Sequence, residues 1–150
     1  MRVVRPVVLL AATVLVACGS EHRTGPEPVT TIAELAGHWT VTVWEYRRAT
    51  GAPEPIDWVV TQQVTGMLVI QPSGVFDFVV TYPWGQGHDY GQLALQGDVV
   101  YWDGENDEEL VPFVLDGATL QLRWPETELV DIDQDGQPED SWLRVTMRLE

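Results

Sequence analysis

Residues 39–46, Trp39-Thr40-Val41-Thr42-Val43-Trp44-Glu45-Tyr46, carry a β-branched or aromatic side chain at seven of eight positions. Such side chains fit a pleated, half-buried surface, and alternation puts Trp39, Val41 and Val43 on one face of a strand. Immediately upstream, Thr31-Ile32-Ala33-Glu34-Leu35-Ala36-Gly37 has Thr31 and Glu34 at capping-box spacing and Gly37 where a helix would end. One helical turn therefore leads into the strand.

Downstream the pattern repeats, punctuated by turn residues. Stretches 67–71 and 75–82 flank Pro72-Ser73-Gly74, 92–96 and 99–102 flank Gly97-Asp98, and 110–115 and 119–124 flank Asp116-Gly117. Stretches 128–132 and 141–149 enclose an acidic loop, and residues 57–66 suit a strand, a crossover or a short helix. About nine short strands joined by successive hairpins make an antiparallel meander, whose exposed edges vanish when it closes. The expected fold is all-β, a small antiparallel up-and-down barrel of about eight to nine strands with a short N-terminal helical turn.

Composition bounds the rest. Seven Trp and 45% apolar residues favour a packed core, despite 23 acidic residues against 8 basic ones, all Arg. The resulting charge of −15 repels nucleic acid and anionic headgroups and attracts cations. Nucleic-acid binding is therefore excluded as an expectation.

The N-terminus reads as an export signal. Met1-Arg2-Val3-Val4-Arg5 carries two positive charges, and Pro6 to Ala17 is almost wholly apolar but too short to span a bilayer as a stable helix. The segment ends in Leu15-Val16-Ala17-Cys18, which resembles the lipobox of bacterial lipoproteins. The resemblance implies a diacylglyceryl group on Cys18, cleavage before it, and a protein held to a membrane of the cell envelope by its acyl chains. With Gly19 and Ser20 following rather than Asp, it favours the outer membrane. Cys18 is the only cysteine, so one chain can form neither a disulfide nor a thiolate metal site. Residues 1–17 are thus the signal, 18–30 the lipidated cysteine with a polar, Gly- and Pro-containing tether, and 31–150 the domain.

Read with the helical turn that precedes it, Gly37-His38-Trp39 resembles the start of the first strand in lipocalins, and the later hairpins look closer still to a lipocalin-like domain of bacterial lipoproteins. The resemblance implies that Trp39 packs at the closed end of the barrel beneath a cationic side chain, a place open to Arg144 or Arg148. It also implies an interior able to take a small apolar or amphipathic ligand.

Asp131-Ile132-Asp133-Gln134-Asp135-Gly136-Gln137-Pro138-Glu139-Asp140 is the most specific chemical motif. Calcium takes six to eight oxygen ligands, and alternating carboxylates can wrap one ion. Asp131, Asp133 and Asp135 stand at loop positions one, three and five. Gln137 offers a backbone carbonyl, and Glu139 sits at the ninth position. Position twelve is Trp142, so this is not an EF-hand; it looks like the DxDxDG loops that join β-strands, with calcium in a structural role. A second acidic run, residues 103–109, lacks the alternation and reads as a solvated hairpin tip.

No catalytic set is assembled. The stretch Tyr82-Pro83-Trp84-Gly85-Gln86-Gly87-His88-Asp89-Tyr90-Gly91 reads as a loop, and its adjacent His and Asp face opposite ways on an extended chain, so they are no ready-made dyad. No metalloprotease, phosphate-loop or dinucleotide motif occurs, and the chain is expected to be no enzyme. Two readings stand. One is a binding module with Trp44, Trp58, Tyr82, Trp84, His88 and Tyr90 around the barrel mouth. The other is an envelope interaction or structural protein whose barrel is filled by its own side chains. The oligomeric state is not legible.

Overall fold

The structure is a computed structural model. It describes residues 29–49, 54–105, 108–133 and 135–150, with residues 125–128 described by their backbone only. The signal, Cys18 and most of the tether lie outside the described residues. Nine strands form one antiparallel sheet: β1 (Gly37–Arg48), β2 (Ile56–Asp57), β3 (Thr65–Ile70), β4 (Val75–Tyr82), β5 (Gly85–Gln96), β6 (Val99–Gly104), β7 (Glu108–Asp116), β8 (Thr119–Val130) and β9 (Glu139–Leu149). The first strand also pairs with the last, which closes eight of them into a barrel, while β2 adds two residues beside the far half of β1.

The count agrees with the sequence reading, but its makeup differs. Stretches 119–124 and 128–132 were expected as two strands. They are one continuous β8 with an irregularity between Trp124 and Glu128. The expected loop 82–91 is instead the hairpin of β4 and β5, turned at Pro83-Trp84. Eight register pairs to β4, from Tyr82–Gly85 to Val75–Gln92, override the poor strand propensity of its glycines. Residues 57–66 contain one short helix, α1 (Trp58–Thr61), whose first turn is capped by Asp57 Oδ1 accepting from Val59 N at 2.9 Å.

A bulge between Val41 and Val43 shifts the parity of β1. Trp39, Val41, Trp44 and Tyr46 consequently face the interior, and Val43 does not share the face of Trp39 as alternation alone suggested.

The two ends of the barrel differ. At one end lie the turns at residues 71–74, 97–98 and 117–118 and the helical turn Ile32–Leu35. Gly97 and Gly117 take positive φ there, as tight hairpins demand. Glu34 Oε1 accepts from Thr31 N at 2.9 Å, which ties the helical turn down. Trp39, 1% exposed, donates its indole N–H to Leu35 O at 2.8 Å. Above it Leu68, Phe76, Val100, Val111, Leu120, Val145 and Met147 are buried in the barrel interior. Burying each such side chain contributes ~1.5–3 kcal/mol, so this half anchors the fold.

The expected cation over Trp39 is not there. On β9 Leu143, Val145 and Met147 point inward, so Arg144 and Arg148 point outward. Arg144 pairs with Glu45 at 2.9 Å, and Arg148 is exposed. Among the described residues the cation–π contacts fall on Trp142, from Arg47 and Arg123.

Candidate functional site

The opposite end of the barrel is hollow. Its inward positions are Trp44 and Tyr46 on β1, Phe78, Val80 and Tyr82 on β4, Gly87 and Asp89 on β5, Trp102 on β6, Glu109 on β7, Trp124 on β8 and Leu143 on β9. Together with His88 they line a cavity of about 260 Å³. Pockets for small molecules are commonly apolar and aromatic with a few convergent polar groups, as here.

Glycine makes the space. Alternation along β5 turns Gly87, Asp89, Gly91 and Leu93 inward. A Cβ on Gly87 would meet Tyr82 Cε2 at 3.5 Å and Val80 O at 4.0 Å, both at ordinary contact distance. A Cβ on Gly104 would collide with the Asp89 carboxylate, so the bare backbone of β6 is what lets that acid lie across the wall. Asp89 Oδ2 accepts the indole N–H of Trp102 at 2.6 Å. Trp102 stands directly opposite Glu109 in the β6–β7 ladder, and both line the cavity.

Aromatic rings continue from the cavity to the rim. Trp44 packs on Phe78 (6.2 Å between ring centres) and edge-on to Tyr82 (5.9 Å). Tyr82 stacks on Trp84 (5.4 Å), Trp84 meets Trp58 edge-on (5.6 Å), and Trp58 packs on Tyr46 (4.5 Å). Trp44 is 5% exposed, and its indole nitrogen is buried with no hydrogen-bond partner.

Among the described residues the β7–β8 ladder runs from Phe113–Leu122 to Asp116–Thr119, and Glu109 and Trp124 line the cavity beyond its end.

Of the six residues expected at the mouth, Trp44 and Tyr82 line the cavity, and Trp58 and Trp84 join it through ring contacts. His88 borders the cavity, but its Nε2 lies 3.1 Å from Asp77 Oδ2, on the outward-facing row of β4 and β5. Tyr90 points outward too, with its hydroxyl donating to Glu105 at 2.7 Å. That bond holds the phenol pKa above its ordinary value, because ionisation would set two negative charges side by side. Tyr101 is raised likewise by donating to Glu108.

Asp89, Trp102, Glu109 and Trp124 were not among the expected site residues. A signal existed for Asp89, since Gly87-x-Asp89-x-Gly91 alternates in step with inward Leu93. Glu109 was hidden in the acidic run 103–109. That run is not merely a solvated tip: Glu105 and Glu108 bond tyrosines, and Glu109 turns into the barrel.

The acidic loop lies at the same end. Asp131, Asp133 and Glu139 bring carboxylate oxygens within 4.8 Å of one another. Asp135 does not join them; its Oδ1 accepts from Gln137 N at 2.9 Å. Gly136 N donates to Asp131 Oδ2 at 3.0 Å, and Ile132 N to Glu139 Oε2 at 3.0 Å. Arg48 Nη2 bridges Asp133 and Glu139, and those bonds, Glu139 foremost, raise the guanidinium pKa. The positive charge that the loop requires is thus supplied in part by the chain itself.

No helix among the described residues is long and apolar enough to cross a membrane. The chain matches no family model, no characterised protein and no solved structure.

Proposed function

We propose that this chain is a lipid-anchored, lipocalin-like envelope protein whose hollow half binds a small amphipathic molecule without catalysis. The observation that carries the reading is the contrast within one barrel. One half is filled by its own side chains, whereas the other keeps a cavity walled by aromatic rings, with the unpartnered indole nitrogen of Trp44 in its lining. A buried donor left unsatisfied costs about 1–3 kcal/mol, which an acceptor on a bound molecule would recover. The signal anatomy and Cys18 support the anchor, most simply in the outer membrane.

Native and denaturing mass spectra of the purified full chain test this. An added mass that disappears on denaturation, and that is lost when Gly87→Trp fills the cavity, is the expected result. Bare protein that also takes up no small aromatic or aliphatic probe by calorimetry would overturn it.

A second reading, an envelope interaction protein, is favoured by the apolar rim. Val60, Trp84 and Leu129 are 76%, 61% and 71% exposed at the hollow end. Co-purification of a stoichiometric envelope partner, lost in Trp84→Ser, would favour it over the first.

Calcium at the acidic loop belongs to the proposal as a structural ion. Its support is Asp131, whose Oδ1 is buried without a hydrogen-bond partner beside Asp133 and Glu139.

A further inference from the structure

We infer that the molecule held in the hollow half is a small organic cation, with an ammonium head set between Asp89 and Glu109 and its body against the indoles. This rests on the reading that the cavity binds a ligand and names the chemical class.

Among the described residues the cavity's polar lining includes Asp89, Glu109, Tyr46, Tyr82 and His88. Two carboxyl groups face into it from β5 and β7, and none of the described residues lining it is an arginine. Taking a carboxylate out of water is costly unless charge or hydrogen bonds offset it. Evolving apolar residues at both positions would have filled the barrel, as happens in its other half. An ammonium group can donate to carboxylates that line a cavity, which a neutral apolar ligand does not.

The walls suit the same guest. Trp44, Trp102 and Trp124 line the cavity, and a cation within about 6 Å of an indole face gains roughly 0.5–2 kcal/mol. The buried Trp44 indole N–H asks for an acceptor at some distance from the head, such as a hydroxyl. A bare metal ion fits poorly, since a hard cation needs six or more oxygens and these walls are mostly rings. Outside the cavity, a net charge of −15 raises the local concentration of cations.

Calorimetric titration of the purified full chain with tyramine and hexylamine, each against its alcohol isostere (tyrosol, hexanol), tests the inference. At least one amine should bind about tenfold or more tighter than its alcohol. The preference should fall in Asp89→Asn and in Glu109→Gln, with circular dichroism and a cooperative melt showing that both variants are folded. Equal affinity for amine and alcohol would overturn the inference and leave ligand binding standing. An amine preference that survives both substitutions would also overturn it, by assigning the preference to the general acidic surface. If none of the four compounds binds, the inference falls together with the reading on which it rests.

Discussion

Trp102 gives its indole N–H to Asp89 Oδ2 at 2.6 Å, across the β5–β6 ladder and inside the barrel. The bond fixes both the acid and the ring: Phe76 and Trp124 pack on the same indole, with ring centres 4.2 and 5.7 Å away. Hydrogen bonds to a charged group contribute about 1.5–3 kcal/mol, more than neutral ones. Trp102→Phe, which keeps an aromatic ring but no donor, should therefore lower unfolding free energy in urea by about 1.5–3 kcal/mol. Asp89→Asn, which retains an acceptor oxygen, should cost less. A loss below about 0.5 kcal/mol in Trp102→Phe would mean that the bond contributes nothing.

Three glycines of the hollow half should respond differently to the same methyl group. At Gly91 a Cβ would run into the backbone carbonyl of Asp103, which cannot swing away. Gly91→Ala should thus cost about 2–4 kcal/mol. At Gly104 the obstacle is the Asp89 side chain, so Gly104→Ala should cost only about 1–3 kcal/mol but displace the acid. Any preference for amines over alcohols should weaken in that variant. At Gly85 a Cβ meets nothing within 4 Å, so Gly85→Ala should be neutral or stabilising by up to about 1 kcal/mol. Thermal melts of the three variants give the order, and a Gly91→Ala as stable as Gly85→Ala would contradict the close approach of β5 and β6.

How much of this was legible in the residues depends on where each signal is local. The turns at Gly97-Asp98 and Asp116-Gly117 and the capped turn before Trp39 are short-range chemistry, and the filled half of the barrel follows from them. The hollow half is not local. Gly85–Gly91 has the composition of a loop and becomes a strand only because β4 lies beside it. The bulge after Val41, set by pairing to β9, decides that Trp44 and not Val43 faces inward. Glu109 sits among acidic neighbours whose composition says surface, yet its parity with Val111 says interior. Long-range register therefore separates the site that was expected, three of whose six residues line the cavity, from the one that forms.

Arg48 and calcium are alternative counter-ions for the same carboxylates. With Arg48 bridging Asp133 and Glu139, the loop already holds part of the charge it needs. Millimolar calcium should raise the melting temperature of the native chain modestly, through mass action on the folded state. Arg48→Met should melt lower without calcium and regain most of the difference with it. Asp131→Asn should abolish the calcium response in both backgrounds. A melting temperature insensitive to calcium in the native chain and in Arg48→Met would sink the calcium site and leave Arg48 as the loop's only cation.

The pH dependence of stability should carry two signatures of opposite sign. Glu34 is held below the ordinary carboxyl value by hydrogen bonds from the Thr30 hydroxyl first, then from the Thr31 hydroxyl. A group whose folded pKa is depressed stabilises the fold above its unfolded pKa and loses that contribution as pH falls through the folded one. Glu34→Gln should accordingly flatten the acid limb of the stability curve and leave the alkaline limb alone. Tyr90 and Tyr101 behave inversely: each phenol is raised by donating to a carboxylate, Glu105 and Glu108 respectively. Their contribution is complete below the ordinary phenol pKa and is lost as pH rises through the raised values. A spectrophotometric titration of the folded chain should show late transitions from Tyr90 and Tyr101. Tyr90→Phe and Tyr101→Phe should each remove one of them, and Glu105→Gln should return Tyr90 towards the ordinary range. Phenols that ionise together with model tyrosine in the native chain would show that these two hydrogen bonds are absent in solution.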